Sequence, residues 1–365
     1  MIKILHTADL HIDAPFSVCT PSERAARRDE QRQVLQDVCN ICKQEKIHLL
    51  LIAGDLFDSD FVRADTPAFI AACFASIPDT HVFISPGNHD PYYERSPYRA
   101  AKFPDNVHIF TEETLSHIDI PSLNVAVYGF GYQKRAVTGN PIDGLRVRDN
   151  TKINILVCHG DLDDASTEYF NIKSDDLEGS FLNYAALGHI HKTSDFMRLG
   201  KTTFAFCGTP LGRGFDECGE KGVIIGEIGV GSVALRHMPI AVRRYEISVI
   251  NLDGCKSEDT ALSKIKDACE DFDENTALRI VLSGNVQTEI TLSEERVRTL
   301  LPKPLYIEIK NETLYLPDMQ ELMRENSLRG EFCRKIKPML ESEDLTERKT
   351  AALALKYGLA ALSGD

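Results

Sequence analysis

The sequence predicts an α/β protein: a layered β-sandwich flanked by helices (residues 1–240), a small α+β capping domain (241–316) and a helical C-terminal segment (317–365). Three observations carry this expectation. Strand and helix signals alternate over about the first 130 residues, in the βαβαβ order that builds a largely parallel sheet. Strand signals then crowd together up to residue 238, with few helices between them. At "PIAVRR" (239–244) the pattern shifts to a strand–helix–strand module, and beyond Pro317 it is helical.

Taken in order, "IKILHTA" is the first strand, and residues 21–46 read as one long helix with a polar face. "HLLLIAG" is a continuous apolar run, as expected of a strand buried on both faces. A shorter helix from Pro67 to Ser76 leads into "HVFISPGNHD", a strand and then a loop. The later strands are "LNVAVYGF", "KINILVCHG", "YAALGHIH", "TTFAFCG", "GVIIGEIG" and "SVALRHM". The small domain reads as a strand, a helix (259–270), a strand (277–284), a short helix from near Ser293, and "LYIEIK". In the C-terminal segment Met319, Leu322, Met323, Leu328, Phe332, Ile336 and Leu340 recur near helical spacing, and "TERKTAALALKYGLAAL" is a second helical run.

Composition bounds the function. A chain of 365 residues, 43% hydrophobic and 26% charged, suits a soluble globular protein of two domains and an appendage. The start "MIKILHTADL" lacks a basic leader and a cleavage site, so it reads as a strand, and no apolar run is long enough to span a membrane. Ten scattered cysteines include one CxxC pair, Cys39 and Cys42, without a second pair to complete a structural zinc site. That pair is expected to pack on a helix face, and the chain to work in the reducing cytoplasm with free thiols. The net charge of −14 argues against a broad basic surface for nucleic acid, unless positive charge is concentrated locally.

The chemistry lies just past the apolar runs. "ADLH" supplies Asp9 and His11, "AGDLFD" Asp55 and Asp58, and "PGNHD" Asn88, His89 and Asp90. "CHGD" supplies His159, and "ALGHIH" supplies His189 and His191. Each alone has an ordinary explanation, a Gly-Asp loop or a turn at Gly-Asn. Together they place five of the eleven histidines at strand ends, where loops of open α/β sheets converge on one crevice. In an extended strand His189 and His191 point to the same side, and Ile190 turns back into the core. Asp9, His11, Asp55, Asn88, His159, His189 and His191 are seven oxygen and nitrogen donors, too many for one tetrahedral zinc. They suit two metal ions sharing a carboxylate, and the mixed donors fit Mn²⁺, Fe²⁺ or Zn²⁺. Strand alternation points Cys158 away from His159's side.

The ordered set D-x-H, G-D-x-x-D, G-N-H-D, H-G-D and G-H-x-H, spanning residues 9–191, resembles the calcineurin-like metallophosphoesterase superfamily. "HTADLHIDAPF", "AGDLFDSD", "SPGNHDP", "ALGHIHK" and "GTPLGRGFDECGEKG" resemble its DNA-repair nuclease branch, the SbcD-like and YhaO-like proteins. The resemblance implies that Asp9, His11 and His191 bind one metal, that Asn88, His159 and His189 bind the other, and that Asp55 bridges. It implies that His89 is catalytic, facing the substrate and protonating the leaving 3′ oxygen. Asp58 and Asp90 are read as orienting histidine N–H groups or loops. Arg95, Arg99, Lys102, Lys192 and Arg213 are the basic residues placed to meet a phosphate backbone.

The expected function is metal-dependent hydrolysis of DNA in repair, as a 3′-directed exonuclease with endonuclease activity. The resemblance implies an SbcC-like, SMC-type ATPase partner docked on the C-terminal helices, and a homodimer formed through the nuclease domain. If the first of those helices docks on a partner, Leu328, Phe332 and Ile336 are exposed in the isolated chain. Two other readings stay open: a phosphatase or phosphodiesterase for small nucleotides, which the acidic balance suits, and a metal-bound scaffold without catalysis.

Overall fold

The computed structural model describes residues 1–16, 21–59, 61–136, 139–147, 149–241, 243–286 and 292–363. Two compact units divide the chain, Met1–Val242 and Arg243–Asp365.

The first unit begins with β1 (Ile2–Thr7), α1 (Pro21–Glu45), β2 (Leu49–Ile52), α2 (Thr66–Ala75), β3 (His81–Ile84) and β4 (Val107–Ile109). β5 (Ser116–Ile120), β6 (Val125–Gly129) and β7 (Ile153–His159) follow, then the short pair β8 (Asp161–Leu162) and β9 (Asn171–Ile172). α3 (Ser174–Ser180), β10 (Tyr184–Gly188), β11 (Met197–Leu199), β12 (Thr202–Phe206), β13 (Gly222–Gly229) and β14 (Ser232–Pro239) complete it. One six-stranded sheet has the order β14-β13-β1-β2-β3-β4, the other β11-β12-β10-β7-β6-β5. β1 to β4 are parallel, as are β6, β7, β10 and β12, so all these strands aim their carboxyl ends the same way within their own sheet.

Alternation along β2 explains its unbroken apolar run. Leu49 and Leu51 pack between the sheets, while Leu50 and Ile52 pack under α1 and α2. All four are fully buried, and each such side chain contributes about 1.5–3 kcal/mol. α1 lays Leu35, Val38, Cys39, Ile41 and Cys42 on that same core, so the CxxC spacing serves packing. Burial pushes the Cys42 thiol up to about 12. The nine described cysteines are free thiols, and Cys19 lies outside the described residues. β4, β5 and β11 were not expected from the sequence; of their few apolar positions only Ile120 is buried, so no periodic signal announces them.

The second unit runs β15 (Arg244–Asn251), α4 (Glu258–Cys269), β16 (Thr276–Ser283), β17 (Asn285–Val286), α5 (Glu294–Leu300), β18 (Tyr306–Asn311) and β19 (Leu314–Tyr315). Its main sheet, β15-β16-β18, is parallel, with α4 and α5 as crossovers. Ser257 and Ser293 cap those helices by accepting from the backbone N–H of Thr260 and Arg296. α6 (Met319–Arg324), α7 (Leu328–Leu340) and α8 (Leu345–Ser363) share a core of Leu322, Cys333, Ile336, Ala351, Leu355 and Leu359. Ile336 is therefore buried and Phe332 half-buried, whereas Leu328 is exposed, as are Leu353 and Tyr357 of α8. Among the described residues no helix is long and apolar enough to cross a membrane.

Candidate metal centre

The strand ends of both sheets meet in one polar cluster. Asp9 and His11 follow β1, Asp55 follows β2, and Asn88 and His89 follow β3; His159 ends β7, and His189 and His191 follow β10. The backbone there is left-handed at Asp9 (φ 52°), His11 (45°), Asp55 (50°) and His189 (98°). The convergence of His189 with His191, like that of Asp9 with His11, therefore comes from strained positive-φ positions and not from the pleat of an extended strand. The same twist leaves Ile190 36% exposed, which corrects the expectation that it turns into the core. Glycines make room for this crowding. A Cβ on Gly54 (φ 89°) would lie 2.2 Å from His159 Nδ1, and one on Gly188 would lie 1.9 Å from the Ala53 carbonyl oxygen.

Two groups of donors emerge. Asp9, His11 and His191 bring ligand atoms within 4.8 Å of one another, and so do Asp9, Asp55 and His159. His11 Nε2 lies 3.2 Å from His191 Nε2. His159 Nε2 lies 2.9 Å from Asn88 Oδ1 and 3.3 Å from His189 Nδ1. Asp55 Oδ2 sits between the groups, 3.6 Å from His11 Nε2 and 3.4 Å from His159 Nε2. Burial opposes the charge of Asp55, but His159, His11 and His89 outweigh it and hold the carboxyl low.

These residues fit divalent cations. His159 donates its Nδ1–H to the Ala53 carbonyl oxygen at 2.9 Å, which in the neutral ring turns the Nε2 lone pair toward two oxygen acceptors. Among the described residues, Asp9 and Asp55 are buried with only histidines as ion-pair partners. Buried carboxylates facing imidazole lone pairs need a compensating cation. Donor atoms about 3 Å apart are what bonds of ~2.1 Å to a shared ion require.

Side chains behind the donors fix their orientation. Asp58 Oδ1 approaches His11 Nδ1 at 3.2 Å, out of line for a hydrogen bond. Asp90 accepts from the backbone N–H of Gly87, Leu56 and Phe57 and from the Tyr98 hydroxyl, tying the second loop to the third. His89 donates Nδ1–H to the Asp58 carbonyl oxygen at 2.8 Å, and its backbone N–H binds Asp55 Oδ1 at 3.0 Å. His89 also gathers with His11 and Asp58 within 4.8 Å, on the Nδ1 side of His11.

Sequence reasoning missed Glu217. It is buried, its Oε1 lies 2.7 Å from His191 Nδ1, and it accepts from Arg213 Nη2 at 2.9 Å. Burial disfavours its charge, yet the hydrogen bonds from His191 and Arg213 hold its carboxyl well below the usual range. Arg213 and Glu217 stand four residues apart in "GRGFDE", but that stretch is a loop, and nothing in its spacing ties Glu217 to His191. Asp161 and Tyr169 were also missed; Asp161 Oδ2 lies 3.3 Å from His189 Nε2, and the Tyr169 ring meets the His189 ring edge-on at 4.8 Å. Of the basic residues singled out, Arg213 is tied to Glu217 and, at 3.5 Å, to Asp58. Arg95, Arg99, Lys102 and Lys192 are exposed, and Arg99 lies 5.8 Å from the centre of the Tyr92 ring.

Comparison with known proteins finds metallophosphoesterase relatives. Residues 2–193 fit the profile of the calcineurin-like phosphoesterase family. The metallophosphoesterase YhaO of Bacillus subtilis is 25% identical over 296 residues, covering 78% of this chain and 72% of YhaO. The SbcD component of the SbcCD nuclease of the same species is 24% identical over 257 residues, 60% of this chain and 64% of its own length. Its counterpart in Rhodobacter capsulatus is 32% identical over 94 residues, 25% of this chain and 22% of its own.

Proposed function

The chain belongs to the calcineurin-like phosphoesterase family, and from that premise we propose that it hydrolyses phosphodiester bonds of DNA, releasing nucleotides from 3′ ends. The observation that carries this reading is the paired donor set around Asp55 with His89 beside it but tied elsewhere through Nδ1. Asp9, His11 and His191 would hold one cation, Asn88, His159 and His189 the other, and Asp55 both. Two divalent ions there, Mn²⁺ by preference, would supply Lewis acidity and a nucleophile at neutral pH.

The protein's own part is positioning and proton transfer. Donation of Nδ1–H to the Asp58 carbonyl oxygen fixes the His89 ring and leaves Nε2 to carry a proton to the departing 3′ oxygen. Similarity to a nuclease component over 60% of the chain favours DNA over small nucleotides. By the same likeness, the C-terminal helices would dock an SbcC-like SMC-type ATPase in the cytoplasm, and the first unit would form a homodimer.

The test is labelled single- and double-stranded DNA with Mn²⁺, set against a panel of nucleotide monoesters. Nucleotide release from DNA is expected, and His89→Ala should lower it about 100- to 10,000-fold while metal content stays at the wild-type level. Cleavage of a simple phosphodiester but never of DNA, with or without a partner ATPase, would sink the nuclease reading. The net charge of −14 would then favour a small-nucleotide phosphodiesterase.

A further inference from the structure

The parallel strands that end at the metal centre begin at a second feature. Between their starts lies a cavity of about 710 Å³, within the range of small-molecule sites. Lys152 and Asn183 line it immediately before β7 and β10, whose other ends carry His159 and His189. A strand of this length sets the cavity roughly 20 Å from the donors.

Its charge reverses that of the chain. Lys152, Arg198 and Lys201 line it, and among the described residues no carboxylate does. Lys152 is paired with Asp119 at 2.9 Å. Among the described residues, Arg198 and Lys201 have no ion-pair partner; the Arg198 Nε–H donates to the Gly200 carbonyl oxygen at 3.1 Å. Beside them the Phe181 ring is 44% exposed and held at φ 60°, a conformation unusual for a bulky side chain. Lys201 Nζ and the Arg146 guanidinium lie 5.7 and 5.8 Å from the centre of that ring.

The walls are fixed in advance. Asn183 accepts from the Asn154 N–H at 2.7 Å and donates to the Val230 carbonyl oxygen at 2.7 Å. Asn154 donates to the carbonyl oxygens of Asp149 and Lys152 at 3.0 and 2.9 Å. Two cations lining one cavity without an acidic partner among the described residues repel, and a dianion between them relieves that cost. An exposed aromatic ring next to them adds an apolar face for a planar group.

We propose that this cavity binds a phosphate monoester bearing a planar ring, of the nucleoside monophosphate class. Arg198 and Lys201 take the phosphate, and Phe181 packs against the ring. The binding is independent of the metal centre and of the hydrolysis proposed above.

Calorimetric titration of the full-length protein, stripped of metal and kept in chelator, with deoxyadenosine monophosphate tests this. One site of submillimolar affinity is expected. Arg198→Glu combined with Lys201→Glu should weaken it at least about tenfold, with circular dichroism and melting unchanged because both side chains are exposed. Should the double variant melt early, Arg198→Gln serves in its place. Phe181→Leu should weaken the nucleotide and leave inorganic phosphate unaffected. Absence of binding up to millimolar nucleotide overturns the proposal, as does equal affinity in the charge variants. Deoxyadenosine or inorganic phosphate binding as tightly as the nucleotide overturns it too.

Discussion

The two halves of the donor cluster are held by different means. His11 and His191 are backed by side-chain carboxylates, Asp58 at 3.2 Å and Glu217 at 2.7 Å, and Arg213 links the two acids. His159 is backed by backbone: its Nδ1–H goes to the Ala53 carbonyl oxygen, and its own carbonyl accepts from Tyr132. Among the described residues, the carboxylate behind that half is Asp161, 3.3 Å from His189 Nε2, while His159 Nε2 faces the shared Asp55 at 3.4 Å. A carboxylate hydrogen-bonded behind an imidazole, as Glu217 is behind His191, fixes its tautomer and raises its basicity; Asp58 acts on His11 through its charge, and a backbone carbonyl fixes the tautomer with less charge. One half should therefore be tunable by single side chains, and the other should follow the packing of β7.

Removing what the halves share should have the largest effect. Asp55→Asn keeps the shape but takes the charge from between His11 and His159. Metal content measured by mass spectrometry should fall in both positions, and phosphoesterase activity by about 1,000-fold, near 4 kcal/mol of charge stabilisation. Full retention of two metals would show that Asp55 does not bridge. Glu217→Gln should act on one half alone, lowering affinity for one of the two ions about 10- to 100-fold in a chelator competition. Equal weakening of both ions would erase the distinction between the halves.

That contrast also marks what was legible in the sequence. Donor-bearing loops announced themselves, because His, Asp and Asn directly after "LLLIAG" or "INILVC" are poor continuations of a buried strand. The mode of convergence was not legible: positive φ at Asp9, His11, Asp55 and His189 is enforced by neighbouring strands, and residue type does not reveal it. Ile190 faces solvent for that reason. Glu217 was hidden because it arrives from a loop 26 residues beyond His191, so no spacing rule joins them. In the fold, long buried strands and capped helices were readable, while β4, β5 and β11 depend on partners brought by the rest of the sheet.

The carboxylate-backed half should also govern the acid response. Glu217, held low by His191 and Arg213 against the opposing effect of burial, stabilises the fold above its ordinary value of 4.5. That contribution is lost as pH falls through the lower folded value. Asp58 acts in the same sense: burial opposes its ionisation, and His11 outweighs it. Asp90, pushed up by burial and then by the charge of Asp55, acts in the opposite sense. Urea midpoints of metal-free protein should therefore drop more steeply below pH 4.5 in the wild type than in Glu217→Gln. Parallel curves would mean that Glu217 titrates alike folded and unfolded.

The backbone-held half makes the opposite prediction, and there the effect on metal should be the smallest. Tyr132 donates its hydroxyl to the His159 carbonyl oxygen at 3.0 Å and accepts from the Phe170 N–H at 3.0 Å. Tyr132→Phe leaves both buried groups unpaired, which should destabilise the protein by about 1–3 kcal/mol in urea unfolding. The His159 ring nitrogens keep their partners, Ala53 and Asn88, so metal affinity should stay near the wild-type value. A drop in metal affinity as large as that of Glu217→Gln would show that the two halves depend equally on side chains behind their histidines. Stability lost without metal lost is the signature of a ligand held by its strand.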